Sequence, residues 1–261
     1  MARHRLAAVF AHPDDDTWMV GGTYLLEGSD LDLTVVVATS GEAGLIADES
    51  LATRENLAEV REREERAALA AGGQADADVH FFRYPDGGLD GVDRSELVGR
   101  IADVLRAARP EAVVTFGPDG GTGHDDHIVV SEATTAAFHR VREEPGAEGA
   151  FRGLFYGTLP QSELDELYTR WRSRGIEVDP DAPFMPRAVP DDMIDVRVDT
   201  TTVAATKYET LMAHETQAPE IQGLADNDRD LIFATECFVR AWPPPGAGGD
   251  DRPAHRLFDA L

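Results

Sequence analysis

The sequence lacks most of what would tie it to a membrane, a secretory route or a nucleic acid. Its one cysteine, Cys237, excludes an intrachain disulfide framework. No apolar run approaches the roughly 18 residues of a membrane-spanning helix. Met1 to Arg5 leads into only six apolar residues, Leu6 to Ala11, too few for a signal peptide. A soluble cytoplasmic protein is expected. Cations are also scarce, with 24 Lys and Arg against 49 Asp and Glu and a net charge of -25. Such a surface repels phosphate backbones and anionic lipids, so neither nucleic acid nor membrane is an expected partner. Lysine is almost missing, Lys207 being the only one. Arginine for every other cation, with excess carboxylate, fits either a GC-rich genome or a high-salt cytoplasm. Internal repeats and composition breaks are absent too. A chain of 261 residues, 42% apolar, buries a sizeable core. One domain over 1–261 is expected, with a more irregular part from about residue 150 that shapes a substrate entrance. A homo-oligomer is compatible with this composition.

What the chain does contain is two clusters of histidine and aspartate. Ala11-His12-Pro13-Asp14-Asp15-Asp16 follows the apolar run Leu6 to Phe10, and Gly123-His124-Asp125-Asp126-His127 follows the run Ala112 to Phe116. Apolar runs near 5–10, 32–38, 79–82 and 112–116 alternate with segments of helical period. That is the pattern of a mostly parallel sheet with helices on both faces, a Rossmann-like α/β fold. In such sheets ligands bind outside the carboxyl ends of the strands, where two clusters behind two strands meet if the strands are neighbours.

Helices are expected over 18–26, over about 54–71 and over about 94–108. The last has Asp93 as N-cap, Glu96 three residues on, and Leu97, Ile101, Leu105 and Ala108 along one face until Pro110 stops it. Arg61 and Glu64 on the second helix have the spacing of a surface ion pair. Tyr84-Pro85-Asp86-Gly87-Gly88 reads as a turn on the same rim as the clusters. The stretch Val178 to Asp192 reads as a long loop, 194–198 as a late strand and 201–214 as a late helix.

Three imidazoles and at least one carboxylate form a natural donor set for zinc, which needs three protein ligands and an open position for water in a catalytic site. One of His12, Asp15, His124 and His127 is then left for another role, and the residues do not say which. Zinc polarises a carbonyl and acidifies water, and Asp14 or Asp16 is placed to serve as general base. Asp16 also fits a residue that caps the helix starting near Thr17. Two histidines and a carboxylate are equally the ligands of a non-haem iron oxygenase. A nucleotide-binding module is disfavoured, because no G-x-G-x-x-G turn follows the first run and three carboxylates repel a pyrophosphate.

The two clusters resemble the first and second motifs of the LmbE-like, or PIG-L, N-acetylglucosaminyl deacetylases. The helix carrying Arg61, Glu64 and Ala68, the Asp86-Gly87 turn, and Lys207 through His214, Thr216 and Gln217 resemble further family positions. The resemblance implies a Rossmann-like fold and a divalent metal, usually zinc with Fe2+ or another ion as the substitute, held by His12, Asp15 and His127. It implies Asp14 as general base and His124 as a cationic stabiliser of the oxyanion, oriented by Asp126. Arg61 and Asp86 would hydrogen-bond sugar hydroxyls. The implied reaction is hydrolysis of an acetyl or other acyl group from the nitrogen of a small N-acyl amino sugar or its conjugate. A mycothiol-conjugate-type amidase or an antibiotic-tailoring deacylase is the alternative within the family. Two positions depart from the pattern. Asp125 replaces the usual proline of the second motif, and Thr122 replaces the tyrosine that the family's thiol-pathway deacetylases carry two residues before the polarising histidine.

The charge itself generates a prediction. Screening falls from about 30 Å at 0.01 M salt to about 3 Å at 1 M, so repulsion among surface carboxylates weakens as salt rises. The melting temperature is expected to climb over that range; a flat or falling profile removes the high-salt reading.

Overall fold

The computed structural model describes residues 3–46, 48–218, 222–244 and 253–261. Its centre is an eight-stranded sheet. The strands are β1 (His4–Phe10), β2 (Leu31–Thr39), β3 (Asp78–Tyr84), β4 (Ala112–Phe116), β5 (Gly153–Pro160), β6 (Ala188–Val189), β7 (Val196–Asp199) and β8 (Thr235–Trp242). Their order is β3-β2-β1-β4-β5-β8-β7, with β6 beside β5. β1 to β5 run parallel, while β8 is antiparallel to β5 and to β7. The helices are α1 (Asp15–Glu27), α2 (Leu57–Ala71), α3 (Arg94–Ala108), α4 (Asp125–Arg142), α5 (Gln161–Ser173), α6 (Ala204–Met212) and α7 (Asp226–Ile232). α1, α2 and α6 pack together on one face and α3 and α4 on the other, as a mostly parallel α/β sheet requires.

The strands form where the apolar runs are because β1 and β4 are covered on both faces. Leu6 to Phe10 and Ala112 to Phe116 are all buried. Leu6, Ala7 and Ala8 pair in register with Ala112, Val113 and Val114. The order 2-1-4 reverses the direction of winding at β1, so the carboxyl ends of β1 and β4 flank the crevice where such sheets bind ligands. Both His/Asp clusters therefore arrive at one place.

One expectation needs correction. The first helix starts at Asp15 rather than near Thr17, which puts Asp16 inside its first turn. Beyond residue 150 lie α5, β5, β8 and α7, joined by longer irregular stretches. β5 hides its strand character behind Gly153, Gly157 and Pro160, and β8 behind Glu236, a charge that sits inside. The stretch 174–187 lacks regular structure, and 178–192 holds the two residues of β6 and the start of a 3₁₀ turn at Asp191–Met193. The late strand is Val196–Asp199, and α6 is preceded by a 3₁₀ turn at Thr201–Val203.

The single lysine explains part of the packing. Lys207 is buried on α6, and its Nζ donates to Glu236 Oε1 at 2.7 Å and to Trp18 O at 2.8 Å. Glu236 also accepts the N–H groups of Gly22 and Thr23 and the Thr23 hydroxyl. A Cβ at Gly22 would lie 2.5 Å from Thr200 Cγ2 and 2.9 Å from Glu236 Oε1, so glycine is what lets α1 settle on β8. One buried ion pair thus locks α1, α6 and β8 together. Removing one member strands the other charge, a loss of roughly 3–5 kcal/mol for buried pairs. Lys207→Met is expected to lower the unfolding free energy from denaturant titration by that order; a loss under about 1 kcal/mol would show that the pair is not needed.

Candidate metal centre

His12, Pro13 and Asp14 form the turn between β1 and α1. Asp14 is the N-cap of α1, with φ 103 and ψ -30, and its side chain makes no cap hydrogen bond. A non-glycine residue in that region stores about 1–3 kcal/mol of strain, of a kind that gathers at functional sites. Across the crevice, His124 is the N-cap of α4 and His127 lies in its first turn. α4 turns inward because Gly120, at φ 71, lets its neighbourhood close on His127, where a Cβ would come within 2.9 Å.

Three ligand atoms converge. His12 Nδ1 is 3.1 Å from His127 Nε2 and 3.4 Å from Asp15 Oδ2, and His127 Nε2 is 3.5 Å from Asp15 Oδ1. A tetrahedral zinc site with bonds near 2.1 Å has edges of about 3.4 Å, so the spacing is that of zinc ligands. The outer nitrogens support this. His127 Nδ1 is 2.9 Å from Gly120 O, a carbonyl that can only accept, so this nitrogen carries the hydrogen and Nε2 is bare. His12 Nε2 faces Asp86 Oδ1 at 3.1 Å and Asp126 Oδ2 at 3.4 Å, two carboxylates that favour a hydrogen on that side. The bare His127 Nε2, His12 Nδ1 and the Asp15 carboxylate face one another, a donor set that suits a cation among them. This is the outer arrangement that fixes metal-binding histidines.

The charges are distributed accordingly. Burial opposes a charge on His12, but the carboxylates of Asp126, Asp15 and Asp86 outweigh it and raise its pKa well above the usual value. Burial would raise Asp15, yet His127 and His12 hold it well below the carboxylate range. Burial pushes Asp14 up to about 7 against the pull of Arg61, close to the value suited to a general base at neutral pH. Asp16, buried against Tyr24 and Glu65, is pushed up to about 6. Among the described residues, His12 with His124 and His127, and His12 with Asp86 and Asp126, also bring ligand atoms within 4.8 Å.

Several sequence-derived roles meet a different geometry. The Asp126 carboxylate does not orient His124. It accepts from the N–H groups of Gly87 and Leu89 and faces His12. His124 is oriented instead by the backbone, its Nδ1 accepting the Asp126 N–H at 3.1 Å. Burial and the charge on His12 lower the His124 pKa, which favours a neutral ring with its hydrogen on Nε2. Asp86 lies against His12 and accepts the Ala43 N–H rather than standing open to a sugar. Arg61 is buried and forms no surface pair with Glu64. Its Nη1 donates to Gly41 O, and its Nη2 to Pro13 O and, at 3.3 Å, to Asp14 Oδ2. Glu64 instead accepts the N–H and hydroxyl of Thr216. The sequence did not single out Glu65 at all, though it is fully buried and accepts the Asp14 N–H at 3.0 Å. It was hidden in the charged run Arg61 to Arg66, which has the look of a solvated face.

Beside the centre opens a cavity of ≈ 500 Å³, walled by Thr122, His124, Asp125, Phe184 and Arg187. That is the size of a small-molecule site. Phe184, at the end of the irregular segment, has its ring 5.2 Å from that of His124. The long loop thus supplies part of the cavity wall.

Comparison with known proteins agrees with this geometry. The 1D-myo-inositol 2-acetamido-2-deoxy-alpha-D-glucopyranoside deacetylase of Thermobifida fusca is 32% identical over 99% of this chain and 100% of its own. Among solved structures, the 4-carboxy-2-hydroxymuconate hydratase GalB of Pseudomonas putida superposes with a TM-score of 0.61 at 22% identity, over 95% of this chain and 100% of its own. The N,N'-diacetylchitobiose deacetylase of Pyrococcus horikoshii gives 0.61 at 18%, over 93% and 87%. At those identities the structures speak for the fold alone, which hosts more than one chemistry. A family model described as PIG-L, GlcNAc-PI de-N-acetylase, matches residues 7–138, which hold both His/Asp clusters, and this chain belongs to that family.

Proposed function

We propose that this protein is a zinc-dependent deacetylase that hydrolyses the acetamide of a small N-acetylglucosamine conjugate, of the kind its Thermobifida relative is named for. The observation that carries the reading is the convergence of His12 Nδ1, His127 Nε2 and the Asp15 carboxylate at the spacing of a tetrahedral metal shell. His12, Asp15 and His127 hold the cation, and their mixed nitrogen and oxygen donors suit zinc. A cation held there supplies Lewis acidity toward an amide carbonyl and toward water.

The remaining chemistry belongs to the chain's own residues. Asp14 takes the proton of the attacking water and returns it to the nitrogen as the C–N bond breaks, leaving acetate and the free amine. His124 donates its Nε2 hydrogen to the amide oxygen as negative charge gathers there. It does so as a neutral imidazole, because its Nδ1 is occupied as an acceptor. Thr122 lines the cavity where relatives in thiol biosynthesis carry a tyrosine, and it is too short to share that task. Asp126 and Asp86 act through His12, holding its outer nitrogen. The Asp125 and Arg187 side chains at the cavity wall offer an acceptor and a donor to sugar hydroxyls.

Metal content by elemental analysis beside kcat separates these roles. Asp15→Ala and His127→Ala are expected to lose the metal. Asp14→Asn and His124→Ala are expected to keep it and to lose on the order of 10²–10⁴-fold in rate. A metal-free or fully active Asp14→Asn sinks the assignment. Asp86→Ala is expected to weaken metal affinity roughly 10–100-fold in competition with a chelator, the usual effect of losing a histidine's outer partner. Unchanged affinity with a raised KM would return Asp86 to sugar binding.

A further inference from the structure

The Pro13–Asp14 peptide is gripped at both ends from one helix. Its carbonyl, Pro13 O, accepts from Arg61 Nη2 at 2.8 Å, and its N–H, on Asp14, donates to Glu65 Oε2 at 3.0 Å. Arg61 and Glu65 are four residues apart on α2, so they project from the same face one turn apart. Fixing both ends of a planar peptide fixes its orientation, and with it φ of the residue that follows.

That matters because of where Asp14 stands. An aspartate at a helix N-cap ordinarily turns its carboxylate onto the N–H groups of the first turn. In that state it would be lost to chemistry. Here the N-cap aspartate makes no such bond, and its φ of 103 directs the side chain elsewhere. We propose that Glu65 is the positioning residue for the catalytic base: by accepting the Asp14 N–H it holds the Pro13–Asp14 peptide in the orientation that keeps the Asp14 carboxylate off its own helix and in the active site.

The surroundings of Glu65 fit a fixed acceptor. Its carboxyl is fully buried, with Oε1 left without a partner among the described residues and Asp16 and His214 as its polar neighbours. His214 Nε2 is 4.0 Å from Oε2, and both nitrogens of that buried ring lack partners among the described residues. Burial and the neighbouring carboxylates favour the neutral acid, which still presents an oxygen to the Asp14 N–H. A glutamine keeps that acceptor oxygen. A methionine of similar length offers none.

This inference rests on the proposed deacetylase reading for its kinetic arm, so the test has a second arm that does not. Glu65→Gln and Glu65→Met are assayed for metal content and for kcat and KM on the N-acetylglucosaminide of inositol, and each is crystallised. Glu65→Gln is expected within about threefold of wild type and Glu65→Met about 10²-fold down in kcat, the order of effect of a misplacement near 1 Å. Metal content and KM should stay within about twofold in both. In the Glu65→Met crystal, Asp14 is expected to leave positive φ and cap α1. An Asp14 unmoved in Glu65→Met overturns the proposal, as does a Glu65→Gln enzyme as slow as Glu65→Met. If the wild type turns over no acetamido sugar, the deacetylase reading falls, while the two crystal structures still decide on Glu65.

Discussion

Three carboxylates in succession, Asp14, Asp15 and Asp16, sit buried or half-buried at the carboxyl end of β1, and their charge has to be compensated before anything else can form there. Each is met by a different device. Asp15 faces His12 and His127 and accepts the His12 N–H. Asp14 has the Arg61 guanidinium. Asp16 has no cation and is driven toward its neutral form beside Tyr24 and Glu65. These compensations come from α2 and α4, so the two helices must return to the same end of the sheet. The winding reversal at β1 and β4 is what brings them there.

Most of the fold was legible because β1, β2 and β4 are buried almost throughout and read as apolar runs. The capping of α3 was legible for a local reason, Asp93 accepting the N–H groups of Ser95 and Glu96. The sheet's antiparallel side was not. Glu236 interrupts β8 with a charge whose partner, Lys207, is on another element, and no local pattern announces a buried ion pair across 29 residues. The same limit applies to the site. Spacing gave the histidines and aspartates, but it could not tell a residue that faces a ligand from one that faces the residue behind it. Arg61, Asp86 and Asp126 all turn out to hold parts of the site in place. Their chemistry is spent on backbone groups and imidazole nitrogens that no sequence motif shows.

The division of labour follows from direction rather than residue type. Asp14 and Asp15 are neighbours, yet one is the last residue before α1 and the other its first. A helical φ at Asp15 sends its carboxylate toward the two imidazoles, and a left-handed φ at Asp14 sends the next one elsewhere. Aspartate tolerates that conformation better than most residues because its short polar chain can bond locally. A base placed at an N-cap also sits at the positive end of the helix dipole, which favours its ionised form, while burial disfavours it. At Asp14 burial raises the pKa and the Arg61 charge lowers it, which leaves it at about 7.

The acidic exterior works with such a site rather than against it. A net charge of -25 raises the local concentration of cations near the surface and has no long-range pull on a neutral sugar conjugate. The field therefore helps to load a divalent metal and leaves recognition of the substrate to short-range contacts. Short-range contacts are what the cavity beside His124 provides, with an aromatic ring, a carboxylate and a guanidinium around its wall. Lysine would add little at that surface that arginine does not. In the interior the two differ, because a compact ammonium fits between Glu236 and the Trp18 carbonyl where a planar guanidinium would not, and the one lysine of the chain is found there.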